Sequence, residues 1–153
     1  MQVRIVEAAF DPRAELATFT KGRDDIGALA NFIGYCRASN NGEAVHNLHI
    51  DQYPGFSQKE ISCLTEEISK RFDCRDILVI HRVGTIYPGE AIVLVAALSV
   101  HRAAAFEVVR VLMDYLKTDA PLWKKETGPR GSRWIEPRAE DHIRRAQAED
   151  IKI

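Results

Sequence analysis

Ala91 to Val100 reads AIVLVAALSV, ten residues without a charged side chain. Apolar residues occupy both its odd and its even positions, so as a strand the segment must be covered on both faces. A membrane-spanning helix needs about 20 such residues, roughly twice this length. The chain therefore has to place the run inside a sheet and pack other elements on either side of it. The nearest candidate neighbour is Arg75 to Val83, RDILVIHRV, rich in β-branched residues and joined to the first run through GTIYPG. That connection is turn chemistry, and the two runs are expected to pair as antiparallel strands.

Other segments are read from the same rules. Val3 and Ile5 flank Arg4 in a short opening strand, and Asp11-Pro12 supplies a cap and a first-turn proline for a helix ending near Lys21-Gly22. Leu29 to Arg37 (LANFIGYCR) is expected as a strand, SNNGE as a turn, and Ala44 to Asp51 (AVHNLHID) as its hairpin partner. Ser57 to Glu60 matches a capping box, with Phe56 and Ile61 as a hydrophobic staple and Ile61, Leu64, Ile68 and Phe72 at helical spacing. Ser99 can cap a third helix whose stripe is Phe106, Val109, Met113 and Leu116 and which ends at Lys117, because Pro121 prevents continuation. LWKKE and SRWIE are extended pieces joined by TGPRG, and the charged end RAEDHIRRAQAEDIKI is a frayed helix. Strands and helices do not alternate regularly, which points to α+β with antiparallel sheet.

With 153 residues, 46% of them apolar, the chain can bury one sizeable core. A single domain over 1–137 with a charged tail over 138–153 is expected. The net charge of -1 excludes a globally basic nucleic-acid binder, and the acids in MQVRIVEAAFDPRAE do not fit a signal peptide. No membrane role follows, and a cytoplasmic protein is expected. Cys36, Cys63 and Cys74 are odd in number and lack CxxC spacing, so they read as reduced thiols; no metal site is expected.

The chemistry concentrates in DYLKTDAPLWKK. Lys117 and Lys124 are seven residues apart across Pro121, a spacing that allows both ammonium groups to meet in one pocket. Such a pair lowers each other's pKa, and burial beside Trp123 acts in the same direction. Spacing alone favours Lys117 satisfying helix carbonyls and Lys124 and Lys125 being solvated. His101-Arg102 opens the third helix, a place that favours an anion such as phosphate. His81-Arg82 reads as structural. Arg37 ends its strand with a guanidinium suited to a carboxylate or phosphate, while Cys36 alternates to the opposite face as a small core residue. Trp123 and Trp134 read as pocket walls or packing anchors rather than stacking platforms.

The blocks IHRVGTIYPGE, VHRAAAFEVVRVLMDYLK, APLWKKE and GSRWIE, in this order, resemble the large, catalytic subunit of molybdopterin synthase. With the strand ending in Arg37 and the Tyr53-Pro54-Gly55 turn, the resemblance covers roughly Gly27 to Arg138. It implies an α/β-hammerhead fold and a homodimer with one small ubiquitin-like subunit at each end, a heterotetramer. The small subunit's Gly-Gly carboxyl terminus, as a thiocarboxylate, brings the sulfur. Two transfers turn cyclic pyranopterin monophosphate into the molybdopterin dithiolene, with no cofactor or metal. Carried over, Lys117 and Lys124 are the catalytic pair: Lys117 gives acid/base or covalent assistance, and Lys124 holds the thiocarboxylate. Arg37, His101 and Arg102 match anion-binding positions, and Arg138 matches an arginine that reaches the neighbouring protomer's pocket. Lys125-Glu126 and the main chain of Tyr35 and Cys36 line the channel. Cys36 stands where an aliphatic residue such as valine is expected.

Two other classes fit a cationic pocket. A binding module would hold a partner's carboxyl-terminal tail without transforming a pterin. A Schiff-base lysine enzyme acting on a phosphorylated carbonyl compound would be trapped by borohydride with no partner protein.

Overall fold

The computed structural model describes residues 1–150. In chain order the elements are β1 (Gln2–Val6), α1 (Pro12–Thr20), β2 (Ala28–Tyr35), β3 (Ser39–Asn40), β4 (Glu43–Ala44), β5 (Asn47–Gln52) and α2 (Phe56–Arg71). They continue with β6 (Asp76–Arg82), β7 (Gly84–Ile86), β8 (Ala91–Ser99), α3 (Arg102–Thr118), β9 (Leu122–Gly128), β10 (Gly131–Ile135) and α4 (Ala139–Glu149). The fold class is α+β, as expected.

The uncharged run forms β8, an interior strand of a sheet ordered β1-β6-β8-β2. It pairs antiparallel with β6, as expected, and β1 adds parallel to β6 at the edge. Leu94, Ala96 and Leu98 meet Phe19 of α1 on one face, while Val93, Val95 and Ala97 meet α2 and α3 on the other through Ile61, Ile68, Val108 and Leu112. Leu112 is fully buried; truncating such a residue to alanine typically costs about 2–5 kcal/mol. Among the described residues, no helix is long and apolar enough to cross a membrane.

The second sheet runs β10-β9-β5-β7, and its inner face packs Leu48 and Ile50 with Cys36, Val83 and Ile86. Here the sequence expectation fails. Leu29 to Arg37 and Ala44 to Asp51 are not hairpin partners: β2 pairs with β8, and β5 pairs with β9 and β7. Only the two-residue ladder β3-β4 closes locally around SNNGE. The long-range partner wins because β2 completes a sheet covered by α3, whereas a local hairpin would leave the β8 edge unpaired. Within GTIYPG, Gly84–Ile86 is strand β7, and the turn itself is confined to Tyr87 to Glu90. Gly89 takes φ 89° there and the Glu90 N–H donates to the Tyr87 carbonyl at 3.0 Å, a Pro-Gly turn of the type that needs glycine at its third position.

Two caps also differ. Asp11 caps α1 as expected, its carboxylate accepting the Arg13 N–H at 2.9 Å. The capping box at Ser57 does not form, because α2 begins earlier, with Gly55 at φ 77° as its N-cap. Ser57 is instead buried in the first turn, where its hydroxyl donates to the Pro121 carbonyl at 2.8 Å and accepts the Tyr53 N–H at 3.0 Å. Phe56 is exposed and contacts Tyr53 edge-on, so it staples nothing to Ile61. Ser99 remains in β8, paired with Ala28, which moves the N-cap of α3 to His101. On α3 the buried stripe is Ala105, Val108, Leu112 and Tyr115 together with Val109 and Leu116, whereas Phe106 is exposed. Residues 139–149 of the expected tail form α4, which packs on α3 and buries Ala148 in the main core. Residues 151–153 lie outside the described residues.

Candidate functional site

The site is built where α3 stops. Asp119 and Ala120 donate back to the Tyr115 carbonyl at 2.8 and 3.2 Å, and the Leu122 N–H reaches the Ala120 carbonyl at 2.7 Å, closing a three-residue turn centred on Pro121. The Ser57 hydroxyl fixes that turn from α2. The chain then enters β9, paired with β5 so that Lys124 stands beside Ile50 and Glu126 beside Leu48. Paired residues share a face, so Lys124 and Glu126 enter the layer between the two sheets, and Lys125, beside His49, takes the other face.

An open cleft of about 1240 Å³ results, lined by Lys117, Lys124, Arg37, Glu126, Arg138, Tyr35 and Cys36 together with Trp123 and Trp134. The two lysines thus face one space. Burial holds the Lys124 ammonium below the ordinary lysine range, the charge of Lys117 acts in the same direction, and Asp141 opposes both. Lys117 Nζ lies 3.3 Å from Asp141 Oδ1. The carboxylate is fixed by the Arg138 N–H at 3.0 Å from Oδ2. Burial pushes the Asp141 carboxyl up, but the Arg138 N–H and Lys117 outweigh it and leave the group below its usual range.

At the opposite wall, Arg37 Nη2 donates to Asn40 Oδ1 at 3.3 Å, and Asn40 Nδ2 donates to Glu126 Oε2 at 3.0 Å. Arg133 holds the other Glu126 oxygen at 3.0 Å. The Cys36 N–H donates to the Glu90 carbonyl at 2.9 Å, so its main-chain donor is already engaged. Its thiol packs among Val45, Leu48 and Ile86, and burial pushes the thiol pKa up, with Glu126 and Glu90 adding to the effect. A thiol in that setting is a poor thiolate. Cys36→Ser is therefore expected to keep activity within about twofold and to cost about 1 kcal/mol of stability, the hydroxyl being poorly served in an apolar layer. Urea unfolding and a product assay check both, and a loss as large as that of Lys117→Ala would contradict it.

Three expected residues do not join the cleft. Lys125 lies over the Trp134 ring, 5.3 Å from its centroid, and His101 and Arg102 open α3, with Arg102 about 22 Å along the helix axis from Lys117. His81-Arg82 is structural in its second member: Arg82 is buried and paired with Glu90 at 2.8 Å. His81 is also buried. It follows Ile77 and Val79 on the helix-covered face of β6, beside Ile5 and Val93, where the two sheets join. Its Nδ1 bonds to the Arg82 carbonyl at 2.9 Å, and burial, reinforced by Lys124, drives its pKa down to about 4.

Sequence reasoning missed Asp141, Asn40 and Arg133. For Asp141 a signal was present, an acid three residues after Arg138 where α4 starts; for Asn40 and Arg133 the contacts are long-range and leave no local pattern. Among the described residues, no cluster of three or more His, Cys, Asp or Glu could hold a metal ion.

Comparison with known proteins gives a consistent picture. The family model described as MoaE protein matches residues 5–119. A molybdopterin synthase catalytic subunit from Caulobacter vibrioides is 46% identical over 141 residues, 92% of this chain and 93% of its own length. The Escherichia coli protein of the same name is 43% identical over 119 residues, 78% of this chain and 79% of its own. Among solved structures, the molybdopterin biosynthesis MoaE protein from Burkholderia ambifaria superposes with a TM-score of 0.81 at 37% identity, covering 98% of this chain and 99% of that one. Molybdopterin synthase from Staphylococcus aureus gives a TM-score of 0.79 at 25% identity, over 88% of this chain and 98% of that one. With three quarters of its length inside the family model, the chain belongs to the MoaE protein family.

Proposed function

We propose that the chain is the catalytic subunit of a molybdopterin synthase, a sulfurtransferase of molybdenum cofactor biosynthesis. It takes two sulfurs, in successive transfers, from the thiocarboxylated Gly-Gly terminus of a small ubiquitin-like subunit and places them on cyclic pyranopterin monophosphate. The observation that carries this reading is the meeting of Lys117 and Lys124 in one cleft across the Pro121 turn. Two cations facing one space suit an anionic tail and a phosphorylated pterin, and the exposed Trp123 and Trp134 at the rim offer ring faces to a flat ring system. Arg37, at the same wall as Glu126, adds a fork for the phosphate or the tail.

His101 and Arg102 lie too far from Lys117 to serve the substrate bound in their own chain. They act in the proposal from a second copy, which is the reason for keeping the homodimer and, with a small subunit at each end, the heterotetramer. Arg138 lines the cleft of its own chain and stays a substrate-binding residue. Lys125 keeps only a rim position, over Trp134. The three cysteines are free, which supports the reading of a reaction in a reducing compartment such as the cytoplasm.

Mixing the purified protein with thiocarboxylated small subunit and cyclic pyranopterin monophosphate is expected to yield molybdopterin. A folded dimer that binds the small subunit but forms no product would sink the enzymatic reading and favour a tail-binding module.

A further inference from the structure

We propose that Asp141 holds the Lys117 ammonium at the mouth of the cleft as an anion grip and leaves Lys124 as the lysine that takes and returns the proton, an assignment that rests on the function proposed above. It reverses the division of labour expected from the resemblance. The geometry of the two amines differs in kind. Lys117 has a carboxylate at 3.3 Å, and that carboxylate is itself held at 3.0 Å by the first turn of α4. The Asp141 side chain is 14% exposed and that of Lys117 46%, so the pair forms at the mouth of the cleft with its acid anchored and its base reaching out. An ammonium paired in this way is positioned to grip an incoming anion.

Lys124 has no carboxylate within ion-pair distance among the described residues and stands on the inner face of β9 beside Ile50. The titratable groups acting on it from neighbouring elements are Lys117 on α3, Asp141 on α4 and His81 on β6; those acting on Lys117 are Asp114, Asp141 and Lys124. Burial and Lys117 both disfavour a second ammonium at Lys124, and only Asp141 favours it. A proton-transfer group near neutral pH needs this kind of setting.

The chemistry assigned to Lys124 balances without an oxidant or reductant. After the thiocarboxylate sulfur has bonded to the pterin carbon, the acyl group is a thioester. Neutral Lys124 Nζ takes a proton from water as the water oxygen bonds to the acyl carbon. The acyl carbon–sulfur bond breaks, sulfur keeps the electron pair and receives the proton back from the Lys124 ammonium as a thiol on the pterin, and the tail leaves as a carboxylic acid whose proton passes to solvent.

Arginine separates the two roles, because it keeps a cation and cannot release its proton. In the reconstituted synthase, Lys117→Arg is expected to stay within about tenfold of wild type, whereas Lys124→Arg loses about 10²–10⁴-fold. A second measurement follows the ¹³Cε resonances of the lysines against pH, alongside the acid limb of kcat/KM. Asp141→Asn keeps an oxygen for the Arg138 N–H but removes the charge. It is expected to move the Lys124 titration and the acid limb together to lower pH, and Asp141→Glu to return them. The reversed arginine pattern, equal losses at both lysines, or a limb that Asp141→Asn leaves in place would overturn the assignment in an active wild type. Absence of product from the wild-type chain overturns the functional reading instead, and the lysine titration then still decides whether Asp141 sets the state of Lys124.

Discussion

Lys124→Met is expected to lower molybdopterin formation by about 10²–10⁴-fold, the range of a lost proton-transfer group, while raising thermal stability at neutral pH. The two effects have one cause. The folded chain binds the Lys124 proton less readily than the unfolded chain does, because burial and then Lys117 disfavour the ammonium. Between the folded value and the ordinary lysine value the unfolded state binds more protons, so stability rises with pH through that window. Below it the full penalty of the buried charge is present, and methionine, of similar length and apolar, removes it. A catalytic group that strains the fold is the expected form of a stability–activity trade-off. Melting temperatures at pH 7 and pH 10 test this: the gain from methionine must shrink at the higher pH. A variant that is less stable than wild type at both values would show that Lys124 is held by favourable contacts and not against a penalty.

The second large effect lies on the acid side. His81, driven down to about 4 from an ordinary value of 6.5, is neutral in the fold and charged in the unfolded chain between those values. There the unfolded state binds more protons, so stability falls as pH falls, by about 3 kcal/mol from this one group across the window. His81→Asn, which can still donate to the Arg82 carbonyl, is expected to be less stable than wild type at pH 7 but to lose less on acidification. Carboxyl groups held below their usual range, such as Asp25, Glu90 and Asp141, also lose their contribution in acid. They do so equally in both proteins, so the difference between the two curves isolates His81. Urea titrations from pH 7 to pH 4.5 with parallel slopes would show that the imidazole does not control the acid limit.

Much of this was legible in the chain because it depends on local or composition-level physics. The uncharged run had to be an interior strand, Asp11-Pro12 had to open a helix, and Pro121 had to turn the chain before LWKKE. What was not legible depended on which distant surface a segment meets. Leu29 to Arg37 carries no mark that distinguishes Ala91–Ser99 from Asn47–Gln52 as a partner. Ser57 and Ser99 have the chemistry of caps, but one hydroxyl is taken by Pro121, 64 residues away, and the other residue is held in β8. On α3 two neighbouring stripes are both apolar, and only the sheet beneath decides that Ala105 and Val108 go in while Phe106 stays out. The lysine pair was anticipated from the resemblance, its spacing having only permitted a shared pocket. Its counter-ion was not, since Asp141 lies in a charged segment whose acids and bases look alike until α4 docks.

The doublet Lys124-Lys125 has an implication for how insertions and deletions act on this strand. Sliding β9 by one position against β5 would exchange the two lysines, and an amine would still project between the sheets. The neighbours would not survive the exchange: Trp123 would be driven inward, and Glu126 would leave Asn40 and Arg133 for solvent. Glu126 therefore serves as a registration mark. It selects which of two chemically identical side chains stands between the sheets, and a frame shift in β9 should be read first from the loss of its two contacts.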